Sequence, residues 1–209
     1  MAHDPPTDWR ELGEIQLTPI LGAALQVFSE QGYHGATVRA IASRAGVTVP
    51  LLYYHHKNKQ GLLVDLFLTA YANVESRIKQ ARADADNDAL CDFSNLIEAI
   101  VIHTAGHVPF TQINSSLRYV EKSEREPIIK IRQQIEQQIV ETISRGVDAG
   151  LFVVEDPPAA ARALAGLCNA IATWYRPGGP KAPQQIAVDY VAIALRIVGY
   201  QPVAAQTRA

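Results

Sequence analysis

The sequence is poor in groups that oxidise or hold a metal: 209 residues include two cysteines and one methionine. Cys91 and Cys168 stand far apart, without the close paired spacing that a disulfide framework or a zinc site requires. They are expected to be unreactive thiols in a reducing cytoplasm. A long apolar run is missing too, because the most apolar stretch, Ala159 to Tyr175, is broken by Arg162 and Asn169. It falls short of the roughly 20 residues that cross a bilayer, so no membrane role is expected. The first residues, MAHDPPTDWRELGEIQ, carry acids and prolines where a secretory signal has a basic segment and then an apolar one. No nucleophile elbow, phosphate loop or zinc-binding pair occurs, and Ser115, Ser116 and Asp92 have no triad or dyad spacing. Catalytic residues and cofactors are therefore not expected.

With 48% hydrophobic and 19% charged residues, the chain has ample material for a folded core. Its net charge of −2 conceals an asymmetry. Between Thr18 and Lys59 stand Arg39, Arg44, Lys57 and Lys59 against the one acid Glu30, whereas residues 60–209 hold 14 basic and 16 acidic side chains. A small cationic module precedes a weakly acidic body, and a polyanion is expected to meet the front.

Apolar residues recur at intervals of three and four and no strand-like alternation is seen, which predicts an all-α fold. Thr18 with Pro19 behind it reads as a helix start, with Ile20, Leu21, Ala24, Val27 and Phe28 as the buried stripe and Gly32 as the C-terminal cap. Thr37 caps a second helix with Ile41, Ala42 and Ala45 inward, and Gly46 makes the turn. A third helix runs from about Thr48 to His55, and Asn58 caps a fourth with Leu62, Leu63, Leu66, Phe67, Ala70 and Val74 on one face. The Asp-rich piece Asp84 to Asp92 reads as a break. Further helices are expected over Phe93–Val108, after Pro109, over Pro127–Val147 with Ile131, Ile135, Ile139 and Ile143 in one stripe, from Asp156, and from Pro183 to Gly199.

In the last two helices small residues such as Ala159, Ala163, Gly166, Ala170 and Ala192 permit close contact, and apolar groups point in more than one direction. Two readings follow: burial in one large core, or one face on that core and the other on a second copy of the chain in a four-helix interface.

The second and third helices, joined by Ala45-Gly46-Val47, form a helix-turn-helix whose second helix is presented to a major groove of duplex DNA. That helix spends its surface on Tyr53, Tyr54, His55 and His56, rings that pack and hydrogen-bond together. The segment TVRAIASRAGVTVPLLYYHHKNKQGLL, with LTPILGAALQVFSEQGYHGAT before it, resembles the DNA-binding signature of the TetR family of bacterial repressors. The resemblance covers about forty-five residues. It implies a three-helix head, a linking helix over about residues 59–82, a divergent helical domain that binds a ligand, and a dimer. The divisions expected are a tail at 1–17, a DNA-binding domain at 18–60 and a ligand-binding and dimerisation domain at 61–209. The implied partners are a duplex operator, a small-molecule effector and a second copy docked through the last two helices.

Carried over residue by residue, Thr37, Tyr54, His55 and Lys59 match the family's phosphate contacts, which suits hydroxyls, an imidazole and an ammonium near a helix N-terminus. Thr48, Val49, Pro50, Leu51 and Tyr53 match the exposed face of the recognition helix. This face is poor in donors, so thymine methyl groups and DNA shape are expected to carry specificity, with Arg39 or Arg44 adding a contact. Tyr53 either reaches bases or packs on the first helix. Two departures stand out: His56 where a Phe is usual, and Gln60-Gly61 where acids commonly begin the linking helix. His55 and His56 form no metal pair, because adjacent helical residues face apart.

The ligand half is less explicit. His103 and His107, four apart, share a helix face but have no acidic or thiol neighbour in sequence, so they read as pocket-lining or structural residues and no metal is expected. The segment TWYRPGGPKAPQQIAVDYVAIALRIVG resembles the C-terminal end of a TetR subgroup of steroid and fatty-acid breakdown regulators, whose members tend to respond to CoA thioesters. Trp174 and Arg176 then read as an aromatic wall and an anion contact, or equally as core and a charge complementing a helix end. Arg118, Lys122, Arg125 and Arg132 meet a phosphate-bearing ligand or form a solvated face.

Overall fold

A computed structural model describes residues 8–202. Residues 1–7 of the expected tail and the last seven residues of the expected C-terminal domain lie outside the described residues. Every regular element among those described is helical: α1 (Pro19–Gly35), α2 (Val38–Ala45), α3 (Val49–His55), α4 (Lys59–Ala83), α5 (Ala89–Gly106), α6 (Val108–Gln112), a 3-10 segment (Ile113–Tyr119), α7 (Lys122–Asp148), α8 (Pro157–Trp174) and α9 (Pro183–Ile197).

Local side chains start these helices. The Thr18 hydroxyl accepts from the Leu21 N–H at 3.2 Å, Thr37 from Ala40 at 3.1 Å and Thr48 from Leu51 at 3.4 Å. Asn58 accepts from Gly61 at 2.8 Å, and Asp156 from Ala159 at 2.9 Å. Each satisfies an amide that the first turn leaves without a partner. Gly32 breaks α1 without ending it: its φ of 68° kinks the backbone, and a final turn runs on to Gly35. Two other bounds differ from the periodicity. α5 begins earlier, at Ala89, where the Asp88 carboxylate accepts the Cys91 N–H at 2.7 Å. α7 begins before Pro127, at Lys122: Arg125 donates to the Glu121 carbonyl at 3.0 Å, and Pro127, which has no N–H to give, stands near the start of the helix.

The described chain divides into two compact units. One comprises Gly13–Asn73 and His107–Arg132. Its core joins Val27 and Phe28 of α1, Ile41 of α2, Leu52 of α3, Leu62, Leu63, Leu66 and Phe67 of α4, Phe110 of α6 and Ile128 of α7. The α6 and 3-10 segments pack on α1, so this unit contains more than the head helices.

The other unit comprises, of the described residues, 8–12, 74–106 and 133–202. Here α5 packs on α9 and α8, and Phe93, Leu96, Ile102, Ile143, Phe152, Leu164 and Ile171 are buried. Asp92, buried at the start of α5, accepts from Arg82 of α4 at 2.9 and 3.2 Å and from Arg145 of α7 at 2.5 Å. Residues 8–12 are anchored in this unit. Trp9 is 2% exposed, its indole donates to Asp84 at 2.6 Å, and the Arg77 guanidinium donates to the Trp9 and Glu11 carbonyls.

Candidate nucleic-acid interface

The turn between α2 and α3 is set by Gly46, whose φ of 69° and ψ of 27° lie in the left-handed region. The Val47 N–H returns to the Ala42 carbonyl at 3.0 Å and closes the end of α2. A side chain at Gly46 would strain this backbone, since L residues rarely adopt it. Leu52 is fully buried, with Ile41 and Ala42 beside it in the core. That burial orients α3 and turns its remaining surface outward.

Tyr53 is 49% exposed and Tyr54 82%, with Leu51, Pro50, Thr48 and His55 also exposed. Tyr53 therefore projects from the helix. Val49 differs from its exposed neighbours, being half-buried against the head core. Tyr54 and His55 meet edge to face at 5.2 Å. Thr37 and Arg39 are exposed on α2, while Arg44 is paired with Glu30 at 2.7 Å. The pair leaves Arg39 as the arginine of α2 with its charge turned to solvent.

Lys59 stands apart from the exposed row. Its ammonium donates to the Tyr33 carbonyl at 2.8 Å and the Ala36 carbonyl at 3.0 Å, and it lies 4.4 Å from the centre of the Tyr33 ring. Two of its three N–H groups are thus engaged within the fold. His56 ends α3 with its side chain 11% exposed and pairs through Nδ1 with Asp65 Oδ2 at 2.6 Å. The partners Tyr33, Ala36 and Asp65 carry no signal in the sequence, since nothing local pairs them with Lys59 or His56.

The residues read as ligand contacts are distributed. His103 is buried on α5, and Trp174 and Arg176 lie at the end of α8, all in the unit that contains α9. Trp174 is half exposed and stacks on Tyr190 with ring centres 6.4 Å apart. Arg176 donates to the Tyr175 carbonyl at 2.9 Å, as a cation at a helix C-terminus does. His107 belongs to the unit of the head, where Nε2 donates to the Gly13 carbonyl at 3.0 Å. Among the described residues no three His, Cys, Asp or Glu side chains come together as a metal site, and no helix is long and apolar enough to cross a membrane.

Comparison with known proteins covers both parts of the chain. Residues 20–66 match the family of bacterial regulatory proteins described as the tetR family, and residues 92–198, about half the chain, match the tetracyclin repressor-like C-terminal domain. The chain is 26% identical over 182 residues to the HTH-type transcriptional repressor KstR2 of Mycobacterium tuberculosis, covering 84% of this chain and 89% of that protein. A crystal structure of a tetR-family regulatory protein from Rhodococcus RHA1 superposes with a TM-score of 0.82 at 29% identity, covering 88% of this chain and 97% of that one. The fold is also similar to that of the regulator FadR from Bacillus subtilis, solved in complex with stearoyl-CoA. There the TM-score is 0.68 at 22% identity, with 84% and 96% of the chains covered.

Proposed function

Because the chain belongs to the TetR family of DNA-binding transcriptional regulators, we propose that it is a cytoplasmic repressor that holds a palindromic operator as a dimer and is released by an apolar or acyl-CoA-like effector. The observation that carries the DNA-binding half of this reading is the burial of Leu52 at 0% beneath Leu51, Tyr53, Tyr54 and His55, all exposed on one short helix. Thr37, Tyr54, His55 and Arg39 serve phosphates and set the register. Thr48, Pro50, Leu51 and Tyr53 face the bases, and Val49 supports them from beneath.

Residues 18–60 act as the DNA-binding domain and residues 61–209 as the ligand-binding and dimerisation domain. The dimer forms through α8 and α9, whose surface leaves Trp174, Val188, Ile193 and Ile197 exposed. Exposed apolar groups of that kind favour a second copy, since a monomer that left them in water would associate. Pairing places two recognition helices about 34 to 36 Å apart, one duplex turn.

The effector class is supported by stearoyl-CoA in the similar FadR fold, and the repressor reading by similarity to the transcriptional repressor KstR2. Trp174, His103, His107 and Arg176 are the candidate contacts. α4 carries residues of both compact units, which suits it to transmit ligand binding to the head. An effector acts only by preferring the state that does not bind DNA, and couplings of about 1 to 3 kcal/mol change operator affinity about 5- to 150-fold. The test is selection of duplexes from a random pool, followed by titration of the best one with stearoyl-CoA. A palindrome released by the thioester is the expected result; a selected duplex indifferent to acyl-CoA of every chain length would defeat the effector assignment.

A further inference from the structure

We infer that Lys59 is a positioning residue for DNA binding: it pins the turn between α1 and α2 to the start of α4, and Tyr119 holds the pin in place. The inference rests on the reading that the face of α2 and α3 meets DNA, and it assigns Lys59 a role other than phosphate ligand. The carbonyls of Tyr33 and Ala36 lie where the backbone leaves α1 after the break at Gly32, and the last carbonyls of a helix lack partners within it. Lys59 supplies donors to both, at 2.8 and 3.0 Å. Ala36 immediately precedes Thr37, the exposed cap of α2. Where the ammonium sits thus determines where the first turn of α2 presents its hydroxyl and amides.

The other side of the pin is aromatic. Tyr33 is 8% exposed, and its ring lies under the ammonium and stacks on Tyr119 with centres 5.8 Å apart and planes within 8°. The Arg118 guanidinium lies 4.9 Å from the Tyr119 ring centre, and His34 meets the same ring edge-on at 4.1 Å. A cation at each end of a stacked tyrosine pair suits the negative faces of both rings. The next residue of α4 repeats the connection, for Gln60 Oε1 accepts the Glu121 N–H at 2.9 Å. Segment 113–121 therefore grips the start of α4 and the end of α1 together.

A pin and a phosphate ligand leave different traces in salt. Each neutralised phosphate contributes about 0.9 to the slope of log affinity against log salt. Lys59→Met keeps the stem and removes the charge. On a duplex selected from a random pool by the unaltered chain, Lys59→Met is expected to lower affinity about tenfold or more with the slope unchanged. Tyr119→Ala is expected to reproduce the loss, Tyr119→Phe to restore unaltered binding, and the Lys59→Met/Tyr119→Ala double variant to be no weaker than the weaker single variant. A slope reduced by about 0.9, or losses that add, would overturn the inference. Lysine methylation of the free protein, read by mass spectrometry, needs no DNA. Lys59 should be protected relative to the exposed Lys57 in the unaltered chain and in Tyr119→Phe, and unprotected in Tyr119→Ala. Equal labelling of Lys57 and Lys59 in the unaltered chain also overturns it. A chain that selects no duplex defeats the DNA reading and this role with it, whereas protection of Lys59 alone still reports the pin.

Discussion

His56 donates from Nδ1 to Oδ2 of Asp65 across 2.6 Å, so the residue that ends α3 is tied to the second turn of α4. The imidazole is nearly buried, whereas the side chain of Asp65 is 43% exposed. Two replacements of His56 therefore have unequal consequences. His56→Ala is expected to cost about 1 to 2 kcal/mol, from lost packing and a lost charge-assisted bond. His56→Phe is expected to stay within about 1 kcal/mol of the original, because water can satisfy the released carboxylate. Denaturant unfolding of the two variants provides the comparison, and equal losses would contradict this account.

The exposed faces of Pro50 and Leu51 offer bases only apolar contact. Where such a contact meets a thymine methyl, replacing thymine by uracil removes a buried methyl worth about 0.8 kcal/mol. Competition between matched duplexes should show a loss of roughly that size at one or two positions in each half-site. Leu51→Ala is expected to abolish the discrimination, and a duplex fully substituted with uracil that binds as well as its parent would remove the basis for this mode of recognition.

Val188 is 62% exposed on α9, with Ile193 and Ile197 exposed on the same helix. Val188→Glu or Ile193→Glu places a charge on the exposed surface of α9 without touching the buried Ile186, Ala187 and Ala194. Sedimentation velocity is expected to show a folded species of half the mass, with weaker binding to a palindrome but not to a half-site. Unchanged mass would place the dimer contact elsewhere.

Burial pushes the Cys168 thiol from its ordinary 9.0 up to about 12. A thiol whose folded value is raised keeps its proton while the unfolded chain loses one. The folded state therefore binds more protons between pH 9 and 12, and stability falls as pH rises through that window. Below it the thiol contributes no pH dependence. Cys168→Ala should flatten the alkaline arm of the curve while lowering the plateau by about 1 to 2 kcal/mol, the scale of a small cavity. Native Cys168 should also resist a thiol reagent at pH 8 that modifies the exposed Cys91.

The amino-acid sequence by itself determined the helical course of this protein and the family to which it belongs. Thr18, Thr37, Thr48, Asn58 and Asp156 cap helices where their chemistry implied, because a capped amide lies only three residues along the chain. Leu62, Leu63 and Leu66 are buried as their helical spacing required. The helix-turn-helix was legible for the same reason, being a run of local preferences in one short stretch.

Tertiary structure alone decided which polar groups meet. Periodicity places Lys59 at the start of α4 but contains nothing about Tyr33, Ala36 or a tyrosine as distant as Tyr119. Trp9 looked like part of a tail until Arg77 and Asp84 supplied its partners. Likewise Asp92 stood in a run of acids, and only the fold brought Arg82 and Arg145 to it. A buried charge or indole must find its hydrogen bonds wherever the packed chain places them, and that placement depends on every helix at once.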